Sequence, residues 1–451
     1  MRNLFTKFAL VAALVTLVPA AALASDARVQ ALGLQGDYIQ DYTNVYAYPA
    51  SIVRYQNLVY GNLGNKSSGV SSDFQDNAGT SPVDGAGRSM GAYIVAKWLP
   101  GTLGIQINEN RNSISPAYGP GWFDRNRNEG LSLMWGNKVG EKGSFGLSFD
   151  MANSSLESKT AGVSDGSLKP FPLNIPGGLS ANPFDPNLNA RQLMNSVNAD
   201  LGASDRNSIG VGAGYSMDWG STDRQKTADF AVHWRDNSAK AEDIAAGQTF
   251  EDNGNTDISV NARAQIAISD NSYITPVGNY YTMKRGYKFT DTTTPASNFD
   301  YDNKVSGWQF GIAESWVLRE SDLLVLGVSA SGEKVDYKDV NIVGDPFTVS
   351  YTQLPAIFGA LEVHPASWFH VRMGASKPVT SKLEFTDTAD NDSVIRKDSP
   401  LQYALGLGFR LGKSLDLDTV LNQDFAFTGS WAASGSSTNV PFSNISMTYR
   451  F

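Results

Sequence analysis

The chain contains no cysteine among its 451 residues. This absence excludes disulfide bonds, zinc sites built on thiolates, covalently attached c-type haem and most iron–sulfur clusters. Charge is also sparse, with 18% charged residues and a formal net charge of −9. An acidic chain has no general attraction for phosphate backbones, so we expect no nucleic-acid partner. Glycine and aromatic residues are plentiful instead, which favours strands and turns over helices.

Long apolar runs are missing beyond the first two dozen residues. Residues 1–24 are typical of a secretory signal peptide, because Arg2 and Lys7 precede or flank a short apolar core and Ala22-Leu23-Ala24 forms a cleavage site. The apolar core is too short for a membrane-spanning helix, which needs ~20 apolar residues. We therefore expect an exported protein from which this leader is removed.

Apolar and polar or small residues alternate along most of the remaining chain, from about residue 89 to the end. Clear examples are residues 208–217, 227–235, 258–268 and 401–411. Successive side chains of a strand point to opposite faces, so each run has one apolar face and one polar or small face. The pattern predicts an all-β, antiparallel protein.

A soluble sandwich would bury the apolar faces, whereas a transmembrane barrel would turn them toward lipid. Many runs reach the ~9–11 residues that a tilted strand needs to cross a bilayer. Aromatic residues near strand ends, as in an interfacial girdle, are Tyr93, Trp98, Trp135, Trp219, Trp234, Trp316 and Trp368. We expect a transmembrane antiparallel β-barrel of about 14 strands over residues 53–451, in the bacterial outer membrane. Glu314 falls on an apolar face, so we expect it near an interface, a bulge or a partner.

The final residues alternate in the same way, with Ile445, Met447, Tyr449 and Phe451 on one face. This ending resembles the terminal strand of bacterial outer-membrane proteins. The resemblance implies that Tyr449 and Phe451 form the signal read by the barrel-assembly machinery. It also implies outer-membrane lipid and lipopolysaccharide as surroundings.

Residues 25–52 precede the first clear strand and contain Asn44 and the run Tyr48-Pro49-Ala50. This segment resembles the start of the FadL-like transporters, including their PorV-type relatives, except that Tyr48 replaces the usual asparagine. The resemblance implies a hatch inside a 14-stranded barrel and passive uptake of a hydrophobic small-molecule ligand. Residues that would contact this ligand, or only plug the barrel, are Tyr38, Tyr42, Asn44, Tyr46, Tyr48 and Pro49.

Residues 152–205 are expected to form a long extracellular loop, because five prolines exclude a central strand there. The loop is unusually apolar and either covers the barrel mouth as a lid or packs over it. A G-x-S-x-G match at residues 162–166 lies in this loop and lacks the strand-to-helix turn of a hydrolase. No cofactor motif is found, and no enzyme is expected.

The alternation places several polar residues on the face that would line the lumen, and these are His233, Arg235, Arg263, Glu362, His364, His370 and Arg372. Catalysis and ordinary lumen polarity are the two interpretations, and no metal is expected. The favoured function is passive uptake of hydrophobic or small amphipathic molecules. The alternatives are a general water-filled porin and a structural or secretion barrel with a periplasmic or surface protein partner.

Overall fold

The computed structural model describes residues 26–34, 36–63, 89–96, 98–109, 129–157, 203–220, 226–243, 248–252, 254–293, 295, 298–319, 322–337, 347–387, 393–399, 401–421 and 442–451. The leader predicted at residues 1–24 lies outside this part of the chain. Within it, no helix is long and apolar enough to cross a membrane.

Nineteen strand segments account for most of the described residues. They are β1 (Leu58–Asn62), β2 (Ser89–Val95), β3 (Thr102–Glu109), β4 (Glu129–Val139), β5 (Gly143–Glu157), β6 (Ala203–Trp219), β7 (Lys226–Asp243), β8 (Gln248–Asp252), β9 (Asn255–Ser269), β10 (Ser272–Asp291), β11 (Phe299–Leu318), β12 (Asp322–Tyr337), β13 (Phe347–Ala366), β14 (Phe369–Pro378), β15 (Ser381–Asp387), β16 (Ser393–Asp398), β17 (Gln402–Leu411), β18 (Leu415–Leu421) and β19 (Phe442–Arg450).

The strands form one closed antiparallel sheet, because β1 pairs with β2 on one side and with β19 on the other. Segments β8 and β9 share the neighbours β7 and β10, and β14 and β15 share β13. Segments β16 and β17 pair in turn with β15 and β14. Segments β8 and β9 therefore form one interrupted strand, as do β14 with β15 and β16 with β17. The nineteen segments thus make a barrel of sixteen strands.

The all-β closed barrel is confirmed, and its sixteen strands exceed the expected count of about 14 by two. That count allowed roughly 30 residues for each strand and its connection. Several connections are much shorter, since β9 ends at Ser269 and β10 begins at Ser272, and β4 ends at Val139 and β5 begins at Gly143. Short turns therefore leave enough chain for two more strands. These turns lie at the same end of the barrel as the first residue of β1 and the last of β19.

Apolar side chains cover the outside of the barrel and polar or small residues line the inside. In β6, Ile209, Val211 and Tyr215 are exposed, while Ser208 and Ser216 on the other face are buried. Trp98 and Trp368 lie exposed at short turns, as expected of an aromatic girdle. Tyr93 does not belong to that girdle, because it is fully buried and faces inward. The alternation of exposed Met90 and Ile94 in β2 already places Tyr93 on the opposite face.

Glu314 lies on the outward face of β11, between Ile274 of β10 and Leu326 of β12. It is partly buried and is four positions from Leu318, which ends the strand at the short-turn end. A carboxylate close to the end of a strand lies near the membrane boundary, where its cost is smaller than at the bilayer centre. The interface interpretation of Glu314 therefore agrees with its position.

Residues 26–55, which we call the N-terminal segment, precede β1 and are mostly buried. The segment contains a short helix, α1 (Asp26–Ala31), and three 3-10 turns, Gly36–Tyr38, Tyr42–Val45 and Pro49–Arg54. Helix α1 contacts β14, β17, β18 and β19, whereas the turn Pro49–Arg54 contacts β3 to β7. The segment thus packs against the inner faces of strands on different sides of the closed sheet.

Glycines in the barrel wall allow this close packing. A Cβ atom on Gly374 of β14 would lie 1.7 Å from the carbonyl oxygen of Leu32, and one on Gly146 of β5 would lie 2.3 Å from the nitrogen of Ala50. Real Cβ atoms do not approach backbone atoms so closely. Glycine is therefore required where the N-terminal segment touches these two strands.

Strands β5 and β6 extend into the range predicted as a long loop. They pair in register up to Glu157 opposite Ala203, although their apolar alternation stops earlier. The proline-rich part of that loop, residues 158–202, lies outside the described residues, as does the G-x-S-x-G match.

Candidate functional site

Two buried polar clusters join the N-terminal segment to the barrel wall. The first, called the Arg263 cluster, comprises Arg263, Asp229, Arg54, Asn44 and Tyr48. The second, called the Glu362 cluster, comprises Glu362, His364, His370, Arg372 and Arg28. Both clusters lie in the half of the barrel near the short turns.

The Arg263 cluster is centred on two residues that face each other across neighbouring strands. Asp229 of β7 is the register partner of Arg263 of β9, and both side chains point inward. The Arg263 Nε donates to Asp229 Oδ2 at 2.8 Å, and Arg54 of the N-terminal segment donates to Asp229 Oδ1 at 2.9 Å. Ser216 of β6 adds a third donor at 2.6 Å. Buried charges in this arrangement are compensated by ion pairs and hydrogen bonds.

Arg263 also fixes the N-terminal segment. Its Nη1 donates to Asn44 Oδ1 at 2.8 Å and to the carbonyl oxygen of Ile39 at 3.0 Å. Its guanidinium carbon lies 4.7 Å from the ring centroid of Tyr48, which is a cation–π distance. Asn44 in turn accepts the backbone N–H of Asp41 at 2.7 Å, as part of a capping box. The structure therefore brings together three residues that the sequence analysis selected separately.

Asp37 extends this network toward β10. Asn279 of β10 donates from Nδ2 to Asp37 Oδ2 at 3.0 Å. Burial raises the pKa of Asp37, although nearby Arg263 and the Asn279 hydrogen bond oppose the shift. Burial also raises the pKa of Tyr48, and the negative charge of Asp37 adds to this effect. Asp37 belongs to no motif, and for that reason it was not among the residues predicted from the sequence.

Tyrosines form an aromatic cluster between the N-terminal segment and the strands β1 and β2. Tyr42 packs on Tyr60 with ring centroids 4.7 Å apart, and Tyr60 packs on Tyr93 at 5.4 Å. Tyr46 and Tyr60 share a short hydroxyl–hydroxyl contact. Sequence reasoning selected Tyr42 and Tyr46 but missed their partners in the wall, for which inward alternation was the available signal.

The other residues predicted to contact ligand or line the lumen, in the N-terminal segment and in β7, lie at separate points of the inner surface. Tyr38 packs on Phe358 of β13 with ring centroids 4.6 Å apart, and Pro49 lies against Gly146. The ring Nε2 of His233 forms a hydrogen bond with the carbonyl oxygen of Ala47 at 3.0 Å. Arg235 is buried on the same inward face of β7. These contacts hold the segment in place at several positions.

The Glu362 cluster surrounds one buried carboxylate. Glu362 of β13 is the register partner of Arg372 of β14, whose Nε lies 3.3 Å from Glu362 Oε2. Arg28 of α1 donates from Nε to the same oxygen at 2.6 Å. Burial by itself would lower the pKa of Arg28, but the charges of Glu362 and Asp41 outweigh burial and raise it.

The two histidines lie on the other side of this carboxylate. His364 Nε2 is 3.5 Å from Glu362 Oε1, and His370 Nδ1 is 3.8 Å from the same atom. Their rings meet edge to face with centroids 4.2 Å apart. Four of the predicted lumen residues, namely Glu362, His364, His370 and Arg372, are thus assembled in one place.

The predicted assembly residues lie on the lipid-facing side of β19. Tyr449 is partly exposed and Phe451 is 51% exposed, with the backbone N–H of Phe451 donating to the carbonyl oxygen of Asn57 at 3.1 Å. Their recognition by assembly machinery stays a prediction.

No protein-family model and no curated protein matches the chain. Solved structures similar to it include the toluene transporter TodX of Pseudomonas putida, with 9% identity, a TM-score of 0.39 and coverage of 95% of this chain and 98% of that one. A FadL homologue of Pseudomonas aeruginosa has 12% identity, a TM-score of 0.38 and coverage of 93% and 96%.

The siderophore receptor PiuA of Acinetobacter baumannii has 9% identity, a TM-score of 0.36 and coverage of 70% of this chain. This chain spans 53% of that receptor's length. Scores this low carry no argument about activity, so the function has to be inferred from the residues of the chain itself.

Proposed function

We propose that this protein is an outer-membrane barrel that lets hydrophobic or small amphipathic molecules enter passively, and that it belongs to the FadL-like group. The observation that carries the proposal is the buried N-terminal segment, which is attached to many strands of a sixteen-strand barrel. Barrels with 16–18 strands leave an aqueous channel when nothing fills them. A segment packed against several sides of the inner surface favours selective passage over a general pore.

The outer and inner surfaces support a membrane location. Exposed apolar residues cover the outward faces, and polar or small residues line the inward faces, as lipid outside and a wet interior require. A closed sheet leaves no strand edge with unpaired backbone groups in the hydrocarbon region. Short turns mark the periplasmic end of such barrels, so the N-terminal segment would lie toward the periplasm.

The residues of the FadL-like resemblance support the plug role. Asn44 accepts a hydrogen bond from Arg263, Tyr48 lies over the same guanidinium, and Pro49 and Ala50 pack on Gly146. These contacts join the N-terminal segment to β9 and to β5.

Uptake into proteoliposomes tests this proposal. We expect the purified barrel to accelerate entry of toluene and of a medium-chain fatty acid into liposomes whose outer leaflet contains lipopolysaccharide, which slows apolar solutes, above the rate of the same liposomes without protein. Arabinose should enter at the protein-free rate, because a plugged barrel has no wide aqueous path. Equal acceleration of arabinose would support a general porin instead, and no acceleration of any probe would contradict transport. A soluble protein that co-purifies in mild detergent would favour the secretion-partner alternative.

A further inference from the structure

We propose that Glu362, His364 and His370 form a binding site for a divalent transition metal, with Zn²⁺ as the best-fitting ion. The three residues offer one carboxylate oxygen and two imidazole nitrogens, all within 4.8 Å of one another. Two imidazoles and one carboxylate are a recurring ligand set for zinc and other first-row metals. The proposal is independent of which solute crosses the barrel.

The distances between the donor atoms are close to those of a tetrahedral site. Zinc–ligand bonds of about 2.0–2.1 Å place neighbouring ligands about 3.3–3.4 Å apart. His364 Nε2 and His370 Nδ1 lie 3.5 Å and 3.8 Å from Glu362 Oε1. A few tenths of an ångström of adjustment would bring these atoms into the coordination sphere. A tetrahedral ion would have its fourth position open for water.

The two oxygens of Glu362 have different surroundings. Arg28 and Arg372 both lie against Oε2, at 2.6 Å and 3.3 Å. The arginines therefore hold the carboxylate in one orientation, with Oε1 turned toward the imidazoles. The positive charges of Arg28 and Arg372 reduce the attraction for a cation. The binding constant therefore measures whether the three ligands outweigh this repulsion.

The two histidines also have different surroundings. His370 is buried, and its Nδ1 lies 3.8 Å from Glu362 Oε1, too far for a hydrogen bond. A buried polar atom without a partner is costly, and a metal ion would satisfy it. His364 has its Nδ1 3.2 Å from Asp322 Oδ1, and the same oxygen accepts the backbone N–H of His364 at 2.8 Å. A carboxylate on one ring nitrogen orients the other nitrogen toward a metal.

The site has a path for ions. The side chains of His364 and Asp322 keep exposed fractions of 11% and 16%. A small cavity, with room for about one water molecule, borders Glu362 and His370, and its lining also includes Arg372, Arg410, Asp416 and Asp418. A cation can therefore reach the cluster past the partly exposed side chains of His364 and Asp322, near the short turns.

Cobalt titration of the full-length protein in detergent, purified with a histidine-free tag, tests the site. The chain has three histidines and no cysteine, so background binding by strong ligands is low. We expect one Co²⁺ per chain, a visible d–d absorption band and displacement by one equivalent of Zn²⁺. His364→Ala and His370→Ala should abolish the band. Asp322→Asn should weaken binding about 10–100-fold, the usual effect of removing an outer partner of a ligating histidine.

The matched control is His233→Gln, which removes the third histidine but leaves the cluster intact. This variant should bind cobalt like the unchanged protein. Equal binding by the variants at positions 364 and 370, or loss of binding in the His233 variant, would overturn the proposal.

X-ray absorption of the zinc-loaded, unsubstituted protein provides a measurement that does not depend on any variant folding. We expect two imidazole ligands in the first coordination shell, with zinc–nitrogen distances of about 2.0 Å. A zinc environment of oxygen alone would overturn the site.

Discussion

At the scale of single residues, the barrel interior contains buried ion pairs between residues that are far apart in the sequence. Arg263 and Asp229 were both visible as inward-facing polar positions in alternating runs, because a lipid-facing strand reserves its other face for polar groups. Their pairing was not predictable, since alternation gives the face of a residue and not the register of its strand. Arg28 and Arg54 had no signal at all, because α1 is short and the 3-10 turns have no regular polar pattern.

Asp229→Asn is expected to destabilise the barrel by about 3–5 kcal/mol, because it leaves the buried guanidinium groups of Arg263 and Arg54 without their counter-charge. Urea unfolding in phospholipid micelles, followed by tryptophan fluorescence, measures the free energy of unfolding. Glu141→Gln makes the same carboxylate-to-amide change in an exposed turn and should cost less than about 0.5 kcal/mol. Equal effects of the two substitutions would contradict the role assigned to Asp229.

At the scale of elements, the sequence identified the strands more securely than their number. Residues 401–411 and 208–217 alternate as predicted, and the structure turns their apolar side outward. The count was two too low because turn lengths differ widely and because three strands are interrupted, for example between Pro378 and Ser381. Tyr93 was assigned to the wrong face because its residue type suggested an interface, although its neighbours in β2 indicated otherwise.

Gly374→Ala tests how closely the N-terminal segment touches the wall. The added methyl group would meet the carbonyl of Leu32, so the segment should shift or detach at that point. We expect faster trypsin cleavage after Arg28 and increased leakage of arabinose from proteoliposomes. Gly61→Ala is the matched control, because a Cβ at Gly61 meets nothing within 4 Å. Unchanged cleavage and leakage in the Gly374 variant would show that the contact does not hold the segment.

At the scale of the whole molecule, the barrel and the N-terminal segment have separate consequences for permeability. Sixteen strands enclose a space wide enough for an aqueous channel in porins. The N-terminal segment packs against the inner faces of β3 to β7, β10, β14 and β17 to β19. The sequence resemblance implied such a segment, but only the contacts reveal how many strands it joins.

Deletion of residues 26–55 is expected to convert the barrel into an open channel, because it removes the material packed against the inner wall. Planar-bilayer recording should give stable ion conductance for the shortened chain and closed or rare openings for the full chain. Low conductance in both proteins, with the shortened chain folded by circular dichroism, would mean that other parts of the chain block the lumen.

The seam between β1 and β19 imposes an order on folding. Pairing of Leu58 with Arg450 cannot form until nearly the whole chain is available, and the backbone N–H of Ala27 donates to Ser446 Oγ across 419 positions. Contacts between such distant residues slow folding, because the entropy of closing a long loop is lost before the contact forms. Until the seam closes, two strand edges remain open to unwanted pairing. The N-terminal segment is synthesised before every strand. Its contacts with β19 can form only after the last strand has been made, so the segment reaches its final position at the end of folding.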